Sequence, residues 1–168
     1  MELVITQVPC AHRPSLLVSA CLLGLCTRLD GGHNRNEAVV GLGARFTLVP
    51  ICPEQLGGLA TPRPPAEIQG APSRGDGRVV VRTRDGLDVS DQFRRGAEGA
   101  VTVAHLVGAR SAVLKARSPS CGVGETYDGT FSHTLRSGSG SGVAADLLQR
   151  AGLDLFTEEH IAAGRRPS

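Results

Sequence analysis

The stretch SLLVSA at residues 15–20 is a short apolar run of strand length, and a cysteine follows it directly. Three further runs resemble it: RFTLVPI at 45–51, SAVLKA at 111–116 and LDLFT at 153–157. Short runs of apolar and branched residues between turn-forming segments are typical of buried strands. The sequence therefore predicts a strand in each of these runs.

Segments with helical patterns lie between the predicted strands. NEAVVGLGA at 36–44 begins with Asn36, a residue able to cap a helix. Residues 91–109 carry apolar side chains at helical spacing, and VAADLLQRAG at 143–152 is amphipathic and reaches a glycine at its end. Strands that alternate with helices in this way imply crossover connections and a mostly parallel sheet covered on both sides.

A different pattern occupies the middle of the chain. RVVVRTRDGLDVS at 78–90 places two short runs on either side of Asp85-Gly86, a favoured tight-turn pair, and so predicts a β-hairpin. Residues 53–77 before it are rich in proline and glycine and are predicted to form a long loop. We therefore expect an α/β protein with a single Rossmann-like domain: a mostly parallel sheet with helices on both faces and a β-hairpin insertion.

Length and composition bound the domain. The 168 residues suffice for one domain with a proper core, which we expect over 15–160. An irregular extension is expected over 1–14 and a flexible tail over 161–168. Aromatic residues make up only 3% of the chain, so Val, Leu, Ile and Ala must build the core, as suits a parallel sheet flanked by helices.

The chain lacks the marks of several other classes of protein. Its net charge of +2 arises from interspersed acids and bases, without a basic arm, so we expect no nucleic-acid partner. No apolar run reaches membrane-spanning length, and residues 1–15 lack the order of a secretory signal. We expect a cytoplasmic protein that is a monomer or a weak homodimer.

Five cysteines are present, an odd number without a disulfide-rich setting. In a reducing cytosol such thiols are buried, catalytic or metal-binding more often than paired. Cys21, Cys52 and Cys121 each lie at or just past the carboxyl end of a predicted parallel strand, and open α/β sheets gather their ligands at that edge. We therefore expect these three thiols, far apart in the sequence, to meet in one crevice.

Three converging thiolates suit zinc or an iron–sulfur cluster, and a site that keeps one open coordination position is typical of catalysis. Cys26 could be a fourth ligand, which would give a structural or interaction module with a closed four-cysteine zinc site. The lack of paired C-x-x-C knuckles counts against that alternative. Another is a thiol redox or sulfur-carrier enzyme with Cys21 and Cys26 as a reactive pair. Any one of these thiols could also be buried as a small hydrophobe.

Four blocks of sequence carry a family resemblance: SACLLGLCTRLDGGHNRN, PICPEQLGGLATPRPPAEI, LKARSPSCG and YDGTF. In this order they resemble the blocks of the thiouracil desulfurases, or desulfidases, a small bacterial iron–sulfur domain formerly of unknown function. The match runs from about Val18 to Glu158, nearly the whole chain.

The resemblance implies a cofactor and a reaction. Family members carry a [4Fe-4S] cluster held by three cysteines, which here would be Cys21, Cys52 and Cys121. The fourth iron is open and binds the sulfur of a thiolated pyrimidine, either a base or a nucleotide. Water then replaces sulfur at the ring carbon without net redox change, and sulfide leaves.

The same resemblance points to Glu54 and Ser118 as the polar catalytic groups. Glu54 would act as general base, and Ser118 would position the water or relay a proton. Other interpretations stay open, because Glu54 could cap a helix beginning at Gln55 or pair with Arg63. Ser120 lies two residues from Ser118 and could take its place.

Further charged residues are weaker candidates. Glu67 could be a structural partner for Arg63 or Arg28. Lys115 and Arg117, just before the third cysteine block, could neutralise the charge of a cluster or of a nucleotide phosphate, although a solvated basic pair is an equal possibility.

Overall fold

The computed structural model describes residues 13–69, 79–135 and 140–168, which include only the last two residues of the predicted N-terminal extension. The strands of these ranges are β1 (Ser15–Ser19), β2 (Thr47–Ile51), β3 (Ala66–Gln69), β4 (Val80–Thr83), β5 (Ser111–Leu114) and β6 (Asp154–Thr157). The α-helices are α1 (Glu37–Val40), α2 (Pro53–Leu56), α3 (Ser90–Val107), α4 (Val143–Arg150) and α5 (Glu158–Ala162). None of the helices described combines the length and the apolar character needed to cross a membrane.

A parallel sheet forms the centre of the molecule, with the strand order β2-β1-β5-β6. β1 pairs on one side with β2, where Leu17 lies opposite Val49, and on the other with β5, where Leu17 lies opposite Ala112. β5 in turn pairs with β6. The predicted parallel sheet is confirmed, and the carboxyl ends of β1, β2 and β5 meet at one edge of it.

Helices cover both faces of the sheet. Successive side chains of a strand point to opposite faces, so Leu17 packs with Ala100 of α3 and Leu148 of α4 on one side. Leu16 packs on the other side with the α1 segment and with Ile161 of α5. All five side chains are buried. The predicted α/β class with helices on both faces is confirmed.

The β-hairpin insertion is present, with a different partner strand from the one predicted. β4 lies where the sequence predicts a strand, and the N–H of Gly86 donates to the carbonyl of Thr83 in the turn after it. However, β4 pairs antiparallel with β3, inside the segment predicted to be a loop, with Ile68 opposite Val81. The run after the turn adds only one isolated bridge to β4. Apolar burial explains why β4 pairs with β3, because Ile68 and Val81 pack together against Phe93 of α3.

The segment predicted as a loop over 53–77 also contains α2. Pro53 occupies its first turn, where a missing N–H costs little, and Cys52 is the N-cap residue. The backbones of α2 and α3 nearly touch: a Cβ on Gly96 would lie 1.8 Å from the carbonyl oxygen of Pro53, and one on Gly57 would lie 1.9 Å from a carbonyl oxygen of α3. This pair of glycines seats α2, and with it Cys52, on the long helix.

Two other segments differ in detail from the prediction. The helix predicted over 36–44 is a single α-helical turn, α1, followed by the 3-10 helix Gly41–Ala44. Asn36 caps it as predicted, because its Oδ1 accepts the N–H of Val39 at 3.1 Å. After β6 the chain forms α5, whose buried Ile161 lies at the start of the segment expected to be a tail.

Candidate functional site

Three cysteine thiols line one cavity at the carboxyl edge of the sheet. Cys21 lies in the short 3-10 helix directly after β1, Cys52 caps α2 directly after β2, and Cys121 lies in the loop after β5. All three line a cavity of about 460 Å³. The structure thus brings together the three thiols that the strand pattern predicts to meet.

The fourth candidate cysteine stands apart from this cavity. Cys26 is exposed and is not among the residues that line it. In the described part of the chain, no group of three or more His, Cys, Asp or Glu residues is placed to hold a single metal ion. The described residues therefore do not assemble the closed four-cysteine zinc site. Three thiols that border a common cavity without converging on one point fit a cofactor wider than one ion, such as an iron–sulfur cluster.

Burial keeps two of these thiols in the neutral form. Burial raises the pKa of Cys121 to about 12, a hydrogen bond from Ser19 opposes the rise, and the negative charge of Glu54 adds to it. Burial also raises the pKa of Cys21, opposed by a hydrogen bond from Asn34. Because a metal binds the thiolate, a cation that enters this cavity must displace these protons.

Polar groups beside the thiols include several that sequence analysis did not identify. The Sγ of Cys52 lies 3.8 Å from the carbonyl oxygen of Thr27, to which it donates. Ser19, beside Cys121, also accepts the N–H of Lys115 at 2.9 Å. The signal for Ser19 in the sequence is a serine directly after the apolar run 16–18. Asn34 left no such signal, because the first loop contains many polar residues.

Glu54 lines the cavity and also forms an ion pair. Its Oε2 accepts a hydrogen bond from Nε of Arg63 at 2.5 Å, and both side chains are largely buried. Arg63 donates further to the carbonyl of Thr27 at 3.1 Å and to Oγ1 of Thr61 at 2.9 Å. The pair with Arg63 that the sequence offers as an alternative role for Glu54 is therefore present, and Glu54 lines the same cavity as the three cysteines. This pairing fixes the position of the carboxylate and links the first loop to the segment after α2.

The two candidate serines are placed differently. Ser118 lines the cavity, and its Oγ accepts the N–H groups of Ser120 at 3.2 Å and of Cys121 at 3.1 Å. Ser120 is buried and does not line the cavity, and its Oγ has no hydrogen-bond partner among the described residues. Of the two hydroxyls, that of Ser118 is the one in reach of a molecule in the cavity.

An aromatic wall, formed by Tyr127, Phe131 and His133, closes another side of the cavity. The Tyr127 and His133 rings meet edge to face, with centroids 5.7 Å apart and an interplanar angle of 85°. Glu67, also at the cavity, accepts the N–H groups of Gly129 and Phe131 at 3.0 Å each. The expectation that Glu67 pairs with Arg63 or Arg28 is therefore wrong. Within the described residues, Glu67 instead accepts hydrogen bonds from backbone amides of the YDGTF block.

Most basic side chains at the cavity already have an acidic partner. Lys115 forms an ion pair with Glu158, and Arg117 forms one with Glu159. Arg84 differs, because it lines the cavity with no carboxylate within ion-pair distance in the ranges the structure describes. It is the side chain best placed to meet an anionic group.

Comparison with known proteins gives consistent matches over most of the chain. A family model described as 2-thiouracil desulfurase matches residues 16–160. The uncharacterized protein YbbK of Bacillus subtilis (strain 168) is 39% identical over 148 residues, which cover 87% of this chain and 97% of that protein. A solved structure described as the [4Fe-4S]-dependent thiouracil desulfidase TudS is 40% identical, with a TM-score of 0.77 over 90% of this chain and 95% of that one.

Proposed function

The chain belongs to the 2-thiouracil desulfurase family, and on that premise we propose that it removes the sulfur of a thiolated pyrimidine. The substrate is of the thiouracil or thiouridine type, as a base or a nucleotide. Water oxygen bonds to the ring carbon, the carbon–sulfur bond breaks, and sulfide leaves. Since C=S becomes C=O with no electrons gained or lost, the reaction is a hydrolysis.

Cys21, Cys52 and Cys121 would hold a [4Fe-4S] cluster. What supports this assignment is that their thiols border one cavity of about 460 Å³ while the exposed Cys26 stays outside it. Three thiolates are the soft ligands that iron in such clusters takes. When bound, the cluster would supply an iron with an open position, a Lewis acid that holds the thiocarbonyl sulfur and draws charge from the carbon.

Glu54 and Ser118 perform the proton chemistry in this proposal. Glu54 takes a proton from the attacking water as general base, while Arg63 holds one of its carboxylate oxygens in place. The Ser118 hydroxyl accepts two backbone N–H groups, which fix its oxygen at the cavity. Its own proton is then free to be donated to the water or to a polar atom of the substrate.

The compartment and the assembly of the protein follow from the same proposal. Thiols that must stay reduced to bind iron fit the cytoplasm, where disulfides are rare. The described residues of one chain supply the thiols, Glu54, Ser118 and the aromatic wall. A monomer or a weak homodimer therefore suffices for activity.

Sulfide release from a small panel of thiopyrimidines tests the proposed function. Anaerobically reconstituted protein would be given 2-thiouracil, 4-thiouracil and 4-thiouridine monophosphate, and sulfide and the oxo-pyrimidine would be measured. We expect equal amounts of both products from at least one substrate. Glu54→Gln should lower the rate by about 100-fold with the cluster intact, whereas Glu98→Gln, an exposed acid on α3, should not change it. A loaded protein that releases no sulfide from any of the three would contradict the proposal.

A further inference from the structure

The aromatic wall belongs to a short segment held on the hairpin. We call residues 127–135 the aromatic strap; a bridge between Tyr127 and Leu135 closes it into a loop. Phe131 and His133 have positive φ values of 59° and 60°, which side chains other than glycine rarely adopt. Such backbone angles persist only where the surroundings fix them. Hydrogen bonds within the strap, such as that from the N–H of Asp128 to the carbonyl of Thr134 at 3.0 Å, fix part of this conformation. Contacts with the hairpin fix the rest.

Glu67 of β3 provides the central contact. It is 7% exposed, and one oxygen, Oε2, accepts the strap's N–H groups of Gly129 and Phe131, which lie 62 and 64 residues further along the chain. Gln69, two residues on, donates from Nε2 to the carbonyl of Gly129 at 3.0 Å. Hydrogen bonds to a charged acceptor are stronger than those between neutral groups, and a buried carboxylate is costly without them.

The strap lies directly on the backbone of β3. Gly129 has a φ of +92°, and a Cβ there would lie 2.6 Å from the carbonyl oxygen of Ile68. Arg84, in the turn after β4, also contacts the strap: its guanidinium lies 5.7 Å from the centroid of the Phe131 ring. The strap and the hairpin thus form one wall, and the rings of Tyr127 and Phe131 are presented to the cavity.

We propose that Glu67 is a positioning residue that holds the aromatic strap so that its rings stack on the planar ring of the substrate. The proposal rests on the proposed function, because it takes a thiopyrimidine as the ring in question. Stacking of a base on an aromatic side chain strengthens binding by about 5- to 150-fold, so a displaced strap should weaken substrate binding more than the chemical step.

The predicted signature is a change in KM with little change in kcat. In reconstituted protein, Glu67→Ala should raise the KM for the best thiopyrimidine substrate by about tenfold or more. Glu67→Gln should stay within about threefold of the wild type, because its single carbonyl oxygen can accept both N–H groups. A KM unchanged in Glu67→Ala, or raised equally in Glu67→Gln, would overturn the proposal.

Tyrosine fluorescence gives a second reading that does not depend on activity. The chain has one tyrosine, Tyr127, and no tryptophan, so its emission reports the strap alone. Acrylamide should quench Tyr127 more strongly in Glu67→Ala than in the wild type, and Glu67→Gln should restore the wild-type value. Equal quenching in all three proteins would overturn the proposal. Because this measurement needs no substrate, it separates failure of the anchor from failure of the proposed desulfurase activity.

A variant that leaves Glu67 in place guards against simple unfolding of Glu67→Ala. Gly129→Ala should push the strap off β3 and reproduce both the stronger quenching and the raised KM. Glu98→Ala, an exposed acid on α3, is the matched control and should change neither reading. Wild-type values for both readings in Gly129→Ala would count against the strap as a binding wall.

Discussion

Two serines in the loop after β5 differ in what their hydroxyls can reach. Ser118 lines the cavity, whereas Ser120 is 1% exposed and its Oγ is unpaired among the described residues. We predict that Ser118→Ala lowers kcat by about 100-fold. Ser120→Ala should leave kcat near the wild-type value, because it removes only a buried hydroxyl without a partner. Steady-state sulfide release measures both variants, and equal losses in the two would contradict the assignment.

The raised pKa of Cys121 makes the stability of the cluster-free protein depend on pH. The pKa is about 12 in the folded chain against an ordinary value of 9.0, so folding favours the protonated thiol. Its contribution to stability is complete below about pH 9 and is lost as the pH rises toward about 12. We predict that the free energy of unfolding falls across this window and that it falls less in Cys121→Ala.

Urea unfolding at a series of pH values measures this effect. Cys26→Ala is the control, since its thiol is exposed and its removal should leave the pH dependence of the wild type. A Cys121→Ala curve that runs parallel to the wild-type curve between these pH values would show that burial of this thiol is not the cause.

Arg84 distinguishes a nucleotide substrate from a free base. Among the described residues it is the basic side chain at the cavity without an acidic partner, and a phosphate is the group such an arginine binds best. We predict that Arg84→Gln raises the KM for 4-thiouridine monophosphate by about tenfold or more and raises that for 4-thiouracil much less. Arg94→Gln, an exposed arginine on α3, is the control. Equal changes for both substrates would assign Arg84 to the aromatic wall alone.

At the scale of elements, the packing of α2 on α3 positions part of the site. α2 begins directly after Cys52 and carries Glu54, and its backbone approaches α3 so closely that a Cβ on Gly96 would lie 1.8 Å from a carbonyl oxygen. We predict that Gly96→Ala lowers the free energy of unfolding by about 2 kcal/mol or more and reduces iron uptake, because the helices must separate.

A second glycine of α3 offers the matched control. A Cβ on Gly99 would meet the side chain of Leu56 at 3.5 Å, an ordinary contact. Gly99→Ala should therefore leave stability unchanged or raise it by up to about 1 kcal/mol, the gain in helix propensity. Urea unfolding and iron content measure both variants. Similar results for the two would mean that the close approach of α2 and α3 does not matter.

The elements that sequence predicts well are those whose pattern is local. The strands of the parallel sheet follow from continuous apolar runs, and α3 follows from apolar residues at helical spacing. α2 and β3 were missed because prolines surround them and each is only four residues long. Contacts with distant parts of the chain define these two elements. The backbone of α3 packs against α2, and Val81 of β4 lies opposite Ile68 of β3.

At the scale of the whole molecule, the parallel sheet gathers residues from distant segments. Because β1, β2 and β5 end at the same edge, the meeting of Cys21, Cys52 and Cys121 could be predicted from the strand pattern alone. The contact that holds the aromatic wall could not be predicted in this way. Glu67 binds amides 62 and 64 residues away, and no local sequence pattern encodes that contact.

The iron and labile sulfide content of the protein most directly tests whether Cys21, Cys52 and Cys121 hold a cluster. Wild type, Cys26→Ser and Cys52→Ser would be reconstituted anaerobically and freed of loosely bound metal with a chelator. The wild type and Cys26→Ser should each retain about four iron atoms and four sulfides per chain, and Cys52→Ser should lose most of both. Iron retained in full by Cys52→Ser, or lost from Cys26→Ser, would contradict the three-cysteine site.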